Sequence, residues 1–457
     1  MTRWIHGITR TALAALLLAG CSHAPSLPLQ QMQSASVSAE SVPSGFLWGV
    51  STAGYQWEGG DRTSQWAAWD AAGKTPERNS QGADGWNRYA EDAQLTHGLG
   101  CNAFRTSIEW ARIEPQEGVI DQAAVQHYHQ ELDALQAQGL TPVITLMHFA
   151  YPAWLDKEGG WENPRTATLF AKYAAFVAHE FGAQVHIYLT FNEPNVFLMG
   201  GWLGGGMPPG KTNPIAGLAA MHTMVQAHAL AYDAIHRVEP DAKVSFNMYT
   251  ADWTLGEAPA TTPEARAGQQ LTSDTAFADQ AMGTAFLQGK RGHTNSSKLD
   301  FACFDYYCKF HLRLPFALPR QDTWEVDPQG LYKALVRYHN RYGLPVLVAE
   351  NGMATWNHQA RADHWTRSAY IVAHVQQLQR AIAAGVPVLG YFQWSITDNY
   401  EWGSFSPCFG LFSVDCRDQN FTRVPADGAA AYRAVIGAGG VTPAIAAEYP
   451  PPHAAAL

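Results

Sequence analysis

From residue 45 onward, eight apolar runs of strand length alternate with segments whose apolar residues recur at helical spacing. The runs cover 45–51, 103–110, 141–149, 186–193, 243–249, 300–307, 345–351 and 388–395. Each is apolar on both faces, the mark of parallel strands covered on both sides, and the helices between them supply the cover. Eight such units predict an α/β chain closed into a single (β/α)8 TIM barrel over residues 45–440, with elaborated loops after the strands. On this pattern an open doubly wound sheet is the alternative. Two helices can be read with their ends. Val125, Tyr128, Leu132 and Leu135 form one stripe, opened by a cap at Asp121 and closed by Gly139. Ile371, Val375, Leu378 and Ile382 form another, ending at Gly385.

The 457 residues exceed what that barrel needs, and the surplus at the N-terminus has a different composition. Arg3 and Arg10 give a positive start, and 11–20 (TALAALLLAG) is a short apolar stretch. Ten residues cannot cross a hydrocarbon core about 30 Å thick, so residues 1–20 are expected to be a cleaved signal peptide. Leu18-Ala19-Gly20-Cys21 resembles the lipobox of bacterial lipoproteins, which makes Cys21 the expected lipidation site. The alternative is a plain secretory signal. Residues 21–44, rich in Ser, Pro and Gln, suit a flexible tether, and 441–457 form a C-terminal tail. Membrane attachment through Cys21 implies the bacterial cell envelope, in the periplasm or at the outer membrane and cell surface.

Composition excludes several functions. Net charge is -10, and -12 once the two arginines of residues 1–20 are removed; with no Lys/Arg cluster, nucleic acid is not a partner. No Gly-rich phosphate loop occurs, and no His or Cys spacing matches a metal motif, so neither cofactor nor metal is expected. Five cysteines follow Cys21. Cys101 and Cys303 lie beside strands and read as buried thiols, and Cys408 and Cys416 are close enough in sequence for a local disulfide. Several strand ends are polar: Glu109, His148, Asn192-Glu193, Tyr307, Glu350-Asn351 and Trp394-Ser395. In a parallel barrel that is where chemistry is placed.

Two of those ends carry carboxylates in distinctive settings, TFNEP at 190–194 and AENG at 349–352. With FLWGVSTAGYQWEGG (46–60), FRTSIEWARIEP (104–115), GGW (159–161), PPG (208–210) and YFQWSITDNYEW (391–402), the sequence resembles glycoside hydrolase family 1, the β-glucosidase family, over nearly all of 45–436. The resemblance implies a retaining exo-β-glycosidase with Glu193 as general acid/base and Glu350 as nucleophile. Arg105 and Tyr307 would support the nucleophile, Asn192 would contact the sugar 2-hydroxyl, and Gln56, His148, Trp394, Glu401 and Trp402 would complete the sugar pocket. The 16 Trp, 18 Tyr and 20 Phe accord with stacking on the apolar faces of sugar rings, besides core packing. The expected substrate is a β-linked glycoside or oligosaccharide with a terminal, unphosphorylated glucosyl residue; galactosyl and fucosyl residues are weaker alternatives. A charged Glu401 would repel a 6-phosphate. The chain departs from the family pattern at Phe149 (Trp), Asp305 (Asn) and Cys408 (Arg). A non-hydrolytic carbohydrate-binding lipoprotein and a transglycosylase are the alternative functions. Oligomeric state has no sequence signal.

Overall fold

A computed structural model describes residues 42–255, 298–312 and 319–452. Strands β1 (Leu47–Ser51), β2 (Ala103–Ser107), β3 (Thr141–Thr145), β4 (Ile187–Asn192), β5 (Lys243–Leu255), β6 (Ala302–Leu312), β7 (Val346–Asn351) and β8 (Val388–Trp394) pair in sequence order, all parallel, and β8 closes on β1. The closed barrel, not the open sheet, is therefore the architecture. Its interior is packed: Ala103, Val143, Leu189, Cys303, Leu347 and Phe392 form a layer across it. Gly49 of β1 makes room for this layer, since a Cβ there would lie 2.3 Å from the Phe392 ring.

The helices follow the sequence signals. Helix α1 (Gln122–Ala137) is capped by Asp121, whose Oδ1 accepts from the amides of Ala123 (2.9 Å) and Ala124 (3.2 Å). It buries Val125, Tyr128, Leu132 and Leu135, and Gly139 turns the chain at φ +69°. Helix α2 (Arg367–Ala383) buries Ile371, Val375 and Leu378. Beyond residue 440, the short helix Pro443–Glu448 packs against α2. Two strands are longer than their apolar runs: β5 and β6 stay paired past the barrel, from Asp252–Lys309 to Leu255–Leu312. Within this extension Ala251 and Asp252 are buried, and Asp252 Oδ2 accepts from Lys333 Nζ (2.6 Å).

Cys101, Cys303, Cys308, Cys408 and Cys416 are all free and buried, so the Cys408–Cys416 bridge does not form. No described helix is long and apolar enough to cross a membrane. The signal peptide, Cys21 and the tether as far as residue 41 lie outside the described residues.

Candidate active site

The C-terminal ends of β2, β4, β5, β6 and β7 converge on one buried polar network. Arg105 on β2 is fully buried, and its guanidinium reaches side chains of β3, β4 and β7. Nε donates to Thr145 Oγ1 (3.1 Å), Nη2 to Asn192 Oδ1 (2.7 Å), and Nη1 to Glu350 Oε1. The other Glu350 oxygen accepts from the Tyr307 hydroxyl. Glu350 is thus held by a donor on each oxygen, one of them cationic, which fixes its direction and balances its charge.

Glu193 is held differently. It follows β4 in a left-handed conformation (φ +38°), a costly one for a residue with a side chain, ahead of Pro194 at the start of a short helix. Its amide donates to the Asn247 carbonyl (2.9 Å). Its carboxyl has no cation of its own and hydrogen-bonds Asp305. Burial first, then the negative charges of Asp305 and Glu350, push its pKa well above the ordinary carboxylate range, which keeps it protonated. Asp305 is pushed the same way by burial and by Glu350, against the pull of Arg105. The closest oxygens of Glu193, Asp305 and Glu350 all lie within 4.8 Å of one another.

That separation decides the chemistry such a pair can do. A protonated carboxyl facing a second carboxylate can protonate a leaving oxygen while its partner attacks the same carbon. Pairs about 5–5.5 Å apart leave no room for a water between acid and carbon, as retention requires, whereas inverting pairs stand about 6.5–9.5 Å apart.

The remaining predicted residues gather beside this pair. Gln56 Nε2 donates to Asn399 Oδ1 (3.2 Å) and Glu401 Oε1 (3.4 Å), and Trp394 Nε1 donates to the same Glu401 oxygen (3.1 Å). His148 stacks between Trp394 (5.9 Å) and Trp402 (5.8 Å), and burial, with Arg105 nearby, holds it neutral. Gln56 Oε1, His148 Nδ1 and Asn192 Nδ2 are buried without hydrogen-bond partners in the protein. Native interiors rarely strand polar atoms, so three around one pocket mark where a polar ligand completes the bonding. Phe149, at φ +63°, packs on Trp402 (4.9 Å) and fills with an apolar ring the place of the family's indole.

Two expectations change. Desolvation pushes half-buried Glu401 up to about 8, so it is largely neutral at pH 7 rather than a formal charge. Glu109 does not join the site: its amide donates to the Tyr128 hydroxyl oxygen (3.1 Å), and its carboxyl is buried against the separate Glu58–Arg112 pair. One participant, Asn247, escaped sequence reading. Its Nδ2 donates to Asn192 Oδ1 (2.6 Å) and to Asp305, joining β4 to β6. The only signal was an amide at the same alternating positions as Lys243 and Ser245 in the strand run 243–249.

A parallel barrel with paired carboxyls at its mouth, ringed by buried polar atoms left without partners, is the arrangement of a glycoside-cleaving enzyme. The model of glycosyl hydrolase family 1 matches residues 38–307 and 313–441, and the chain belongs to that family. It is similar to β-glucosidase A of Thermotoga maritima, 30% identical over 84% of this chain and 95% of that one. It is also similar to β-galactosidase of Pyrococcus woesei, 28% identical over 89% of this chain and 99% of the relative. Among solved structures, the T. maritima β-glucosidase bound to a substituted glucoimidazole superposes with a TM-score of 0.77 at 28% identity, over 88% of this chain and 100% of that one. The β-glycosidase of Pyrococcus horikoshii gives 0.76 at 31% identity, over 90% and 98%. The protein is an O-glycosyl hydrolase, a retaining β-glycosidase.

Proposed function

We propose that it removes terminal non-reducing β-D-glucosyl residues from unphosphorylated glycosides by double displacement. The observation that carries this is the carboxyl pair within 4.8 Å, one member protonated and the other gripped by Arg105 and Tyr307. Glu350 attacks the anomeric carbon while Glu193 protonates the leaving oxygen. Water then enters, Glu193 takes its proton, and the sugar leaves with its configuration kept. Arg105 and Tyr307 position the nucleophile, and Asn192 meets the 2-hydroxyl. Gln56, His148, Trp394, Glu401 and Trp402 take the rest of the ring.

Glucosyl preference is supported by the glucosidase relatives, with galactosyl the next class after the galactosidase relative. Rejection of 6-phosphates rests on the surroundings of Glu401: Gln56 and Trp394 reach it, and no Lys or Arg does among the described residues. A phosphate of about -1.5 to -2 charges would sit there unpaired. Lipidation at Cys21, with the barrel tethered in the cell envelope, is supported by the lipobox and the basic, apolar leader. Proton NMR of the first-formed sugar from an aryl β-glucoside should show the β-anomer, and an α-anomer first would refute the mechanism. Palmitate labelling should vanish in Cys21→Ala; labelling that persists would refute the anchor.

A further inference from the structure

Outside the sugar pocket, three residues of different donor chemistry meet at one point: His358, Asp398 and Cys408. His358 Nε2 lies 3.7 Å from Cys408 Sγ and 3.5 Å from Asp398 Oδ2, and all three donor atoms fall within 4.8 Å of one another. We propose that they bind a divalent transition-metal ion, zinc by preference, with its fourth position open to solvent on the histidine side.

The distances fit the ion. Tetrahedral zinc with bonds of about 2.3 Å to sulfur and about 2.0–2.2 Å to nitrogen and oxygen places N and S ~3.6 Å apart, and N and O ~3.4 Å apart. Thiolate, imidazole and carboxylate together favour zinc over magnesium or calcium, which take oxygen ligands. Cys408 and Asp398 are buried, whereas the His358 side chain is 52% exposed and gives the ion its way in.

The site is also built to hold its shape. Residues 356–359 form a tight turn in which Asn357 (φ +48°) and His358 (φ +59°) are both left-handed, and the Gln359 amide donates to the Trp356 carbonyl (3.0 Å). Glycine is the easy choice at the second of these positions. A histidine there costs conformational energy, and what it gains is an imidazole aimed at Asp398 and Cys408. The turn is fastened from below: the Asn357 amide donates to the Ser406 carbonyl (2.7 Å), and Asn357 Oδ1 accepts from Arg417 (3.1 Å). Cys408 pairs with Thr355 in a two-residue ladder, and Asp398 Oδ1 accepts from the Gly410 amide (2.8 Å). The cationic neighbours are Arg417, already paired with Glu77 (2.7 Å), and Arg367, whose guanidinium donates to the Cys408 carbonyl (2.8 Å). Both draw the thiol toward thiolate, against burial and Asp398, which push it up to about 12 until an ion supplies positive charge.

On binding, the Cys408 thiol gives its proton to solvent and sulfur bonds the ion. His358 moves its ring proton to Nδ1, freeing the Nε2 lone pair, and Asp398 binds as carboxylate. Two anionic ligands neutralise the ion. It would clip the turn after β7, which carries Glu350, to the segment that carries Glu401.

The test is cobalt titration of the chelator-treated mature protein. Wild type should take up one ion per chain and develop a thiolate-to-cobalt charge-transfer band with intense tetrahedral d–d bands, displaced by zinc. Cys408→Ser should abolish the charge-transfer band. His358→Ala, at an exposed turn, should weaken uptake by at least about 10- to 100-fold, since losing an outer-shell partner alone costs that much. At equal zinc concentration, Tm should rise less in His358→Ala than in wild type. Absence of a charge-transfer band in folded wild type, or a band that survives Cys408→Ser or disappears in Cys416→Ser instead, would overturn the proposal.

Discussion

Glu193 and Glu350 stand at the ends of β4 and β7, three strands apart around one barrel, are both buried, and are treated in opposite ways. Glu350 receives a guanidinium and a phenol, one on each oxygen. Glu193 receives a second acid, Asp305, and no cation of its own. A single buried arginine, and the side of the pocket it is given to, sets two chemically identical groups apart, one gripped by a cation and the other pushed toward its protonated form, as the proposed roles of attacker and proton donor require. Burial alone could not do so, because it acts on both.

The sharpest break in this comparison removes the attacker. Glu350→Gln keeps an oxygen for Arg105 but cannot form the covalent intermediate, so kcat on an aryl β-glucoside should fall by roughly a millionfold, the scale of losing a covalent nucleophile elsewhere. Retention of more than about a hundredth of turnover would move the role to another carboxylate.

Glu193→Gln should cost about 10²–10⁴ on disaccharides, the usual worth of a general acid, and much less on glycosides with very acidic leaving groups. Equal losses on both substrates would deny Glu193 the proton-donor role.

Removing the divider itself is expected to act on stability as well as rate. Arg105→Met leaves Glu350 buried beside Asp305 without its counter-charge, a change that costs about 3–5 kcal/mol in comparable sites. Urea unfolding at pH 7 would read it, and a loss well under 1 kcal/mol would mean that the ion pair is dispensable.

Asp305→Asn sharpens the contrast from the other side. Removing that negative charge should lower the pKa of Glu193, moving the basic limb of kcat/KM to lower pH. Stability gives an independent reading. Asp305 has a raised pKa, so in the wild type stability is intact below the ordinary carboxylate range and falls as pH climbs toward the folded value. The Tm gain from Asp305→Asn should therefore be small near pH 4 and grow toward pH 8; a gain that shrinks with pH would contradict the assignment.

The smallest effect belongs to Glu401→Gln, which trades an acceptor for an amide and should raise KM for a neutral glucoside by up to about tenfold. In the wild type KM should fall as pH rises through about 8 and Glu401 ionises, a trend absent in the variant.

Much of this was legible before any coordinates. The eight strands, the cap at Asp121 and the stop at Gly139 follow from periodicity and local chemistry, which depend on neighbours in sequence. The pairing of Glu193 with Glu350 came from motifs at strand ends, since a parallel barrel brings all such ends to one face. What sequence could not give depends on three-dimensional surroundings. Glu109 has the same strand-end position as Glu350, yet its carboxyl joins Glu58 and Arg112 instead. The protonation of Glu401 follows from its desolvation in the folded protein, and Asn247 matters only because Asn192 and Asp305 sit on either side. The turn that carries His358 toward Cys408 joins residues 50 apart, a distance no local pattern spans.

The layer of side chains that plugs the barrel, with Phe392 seated over Gly49, has a consequence for traffic. Among the described residues it closes the far end of the barrel, so the molecules taking part share the doorway at the strand ends. The departing aglycone has to clear the path before water can reach the sugar bound to Glu350, and the two halves of the cycle are forced to alternate. While it lingers in the passage, a departing alcohol remains a competitor for the same carbon. Crowding that doorway with a good acceptor should turn part of the enzyme's output from free sugar into new glycoside.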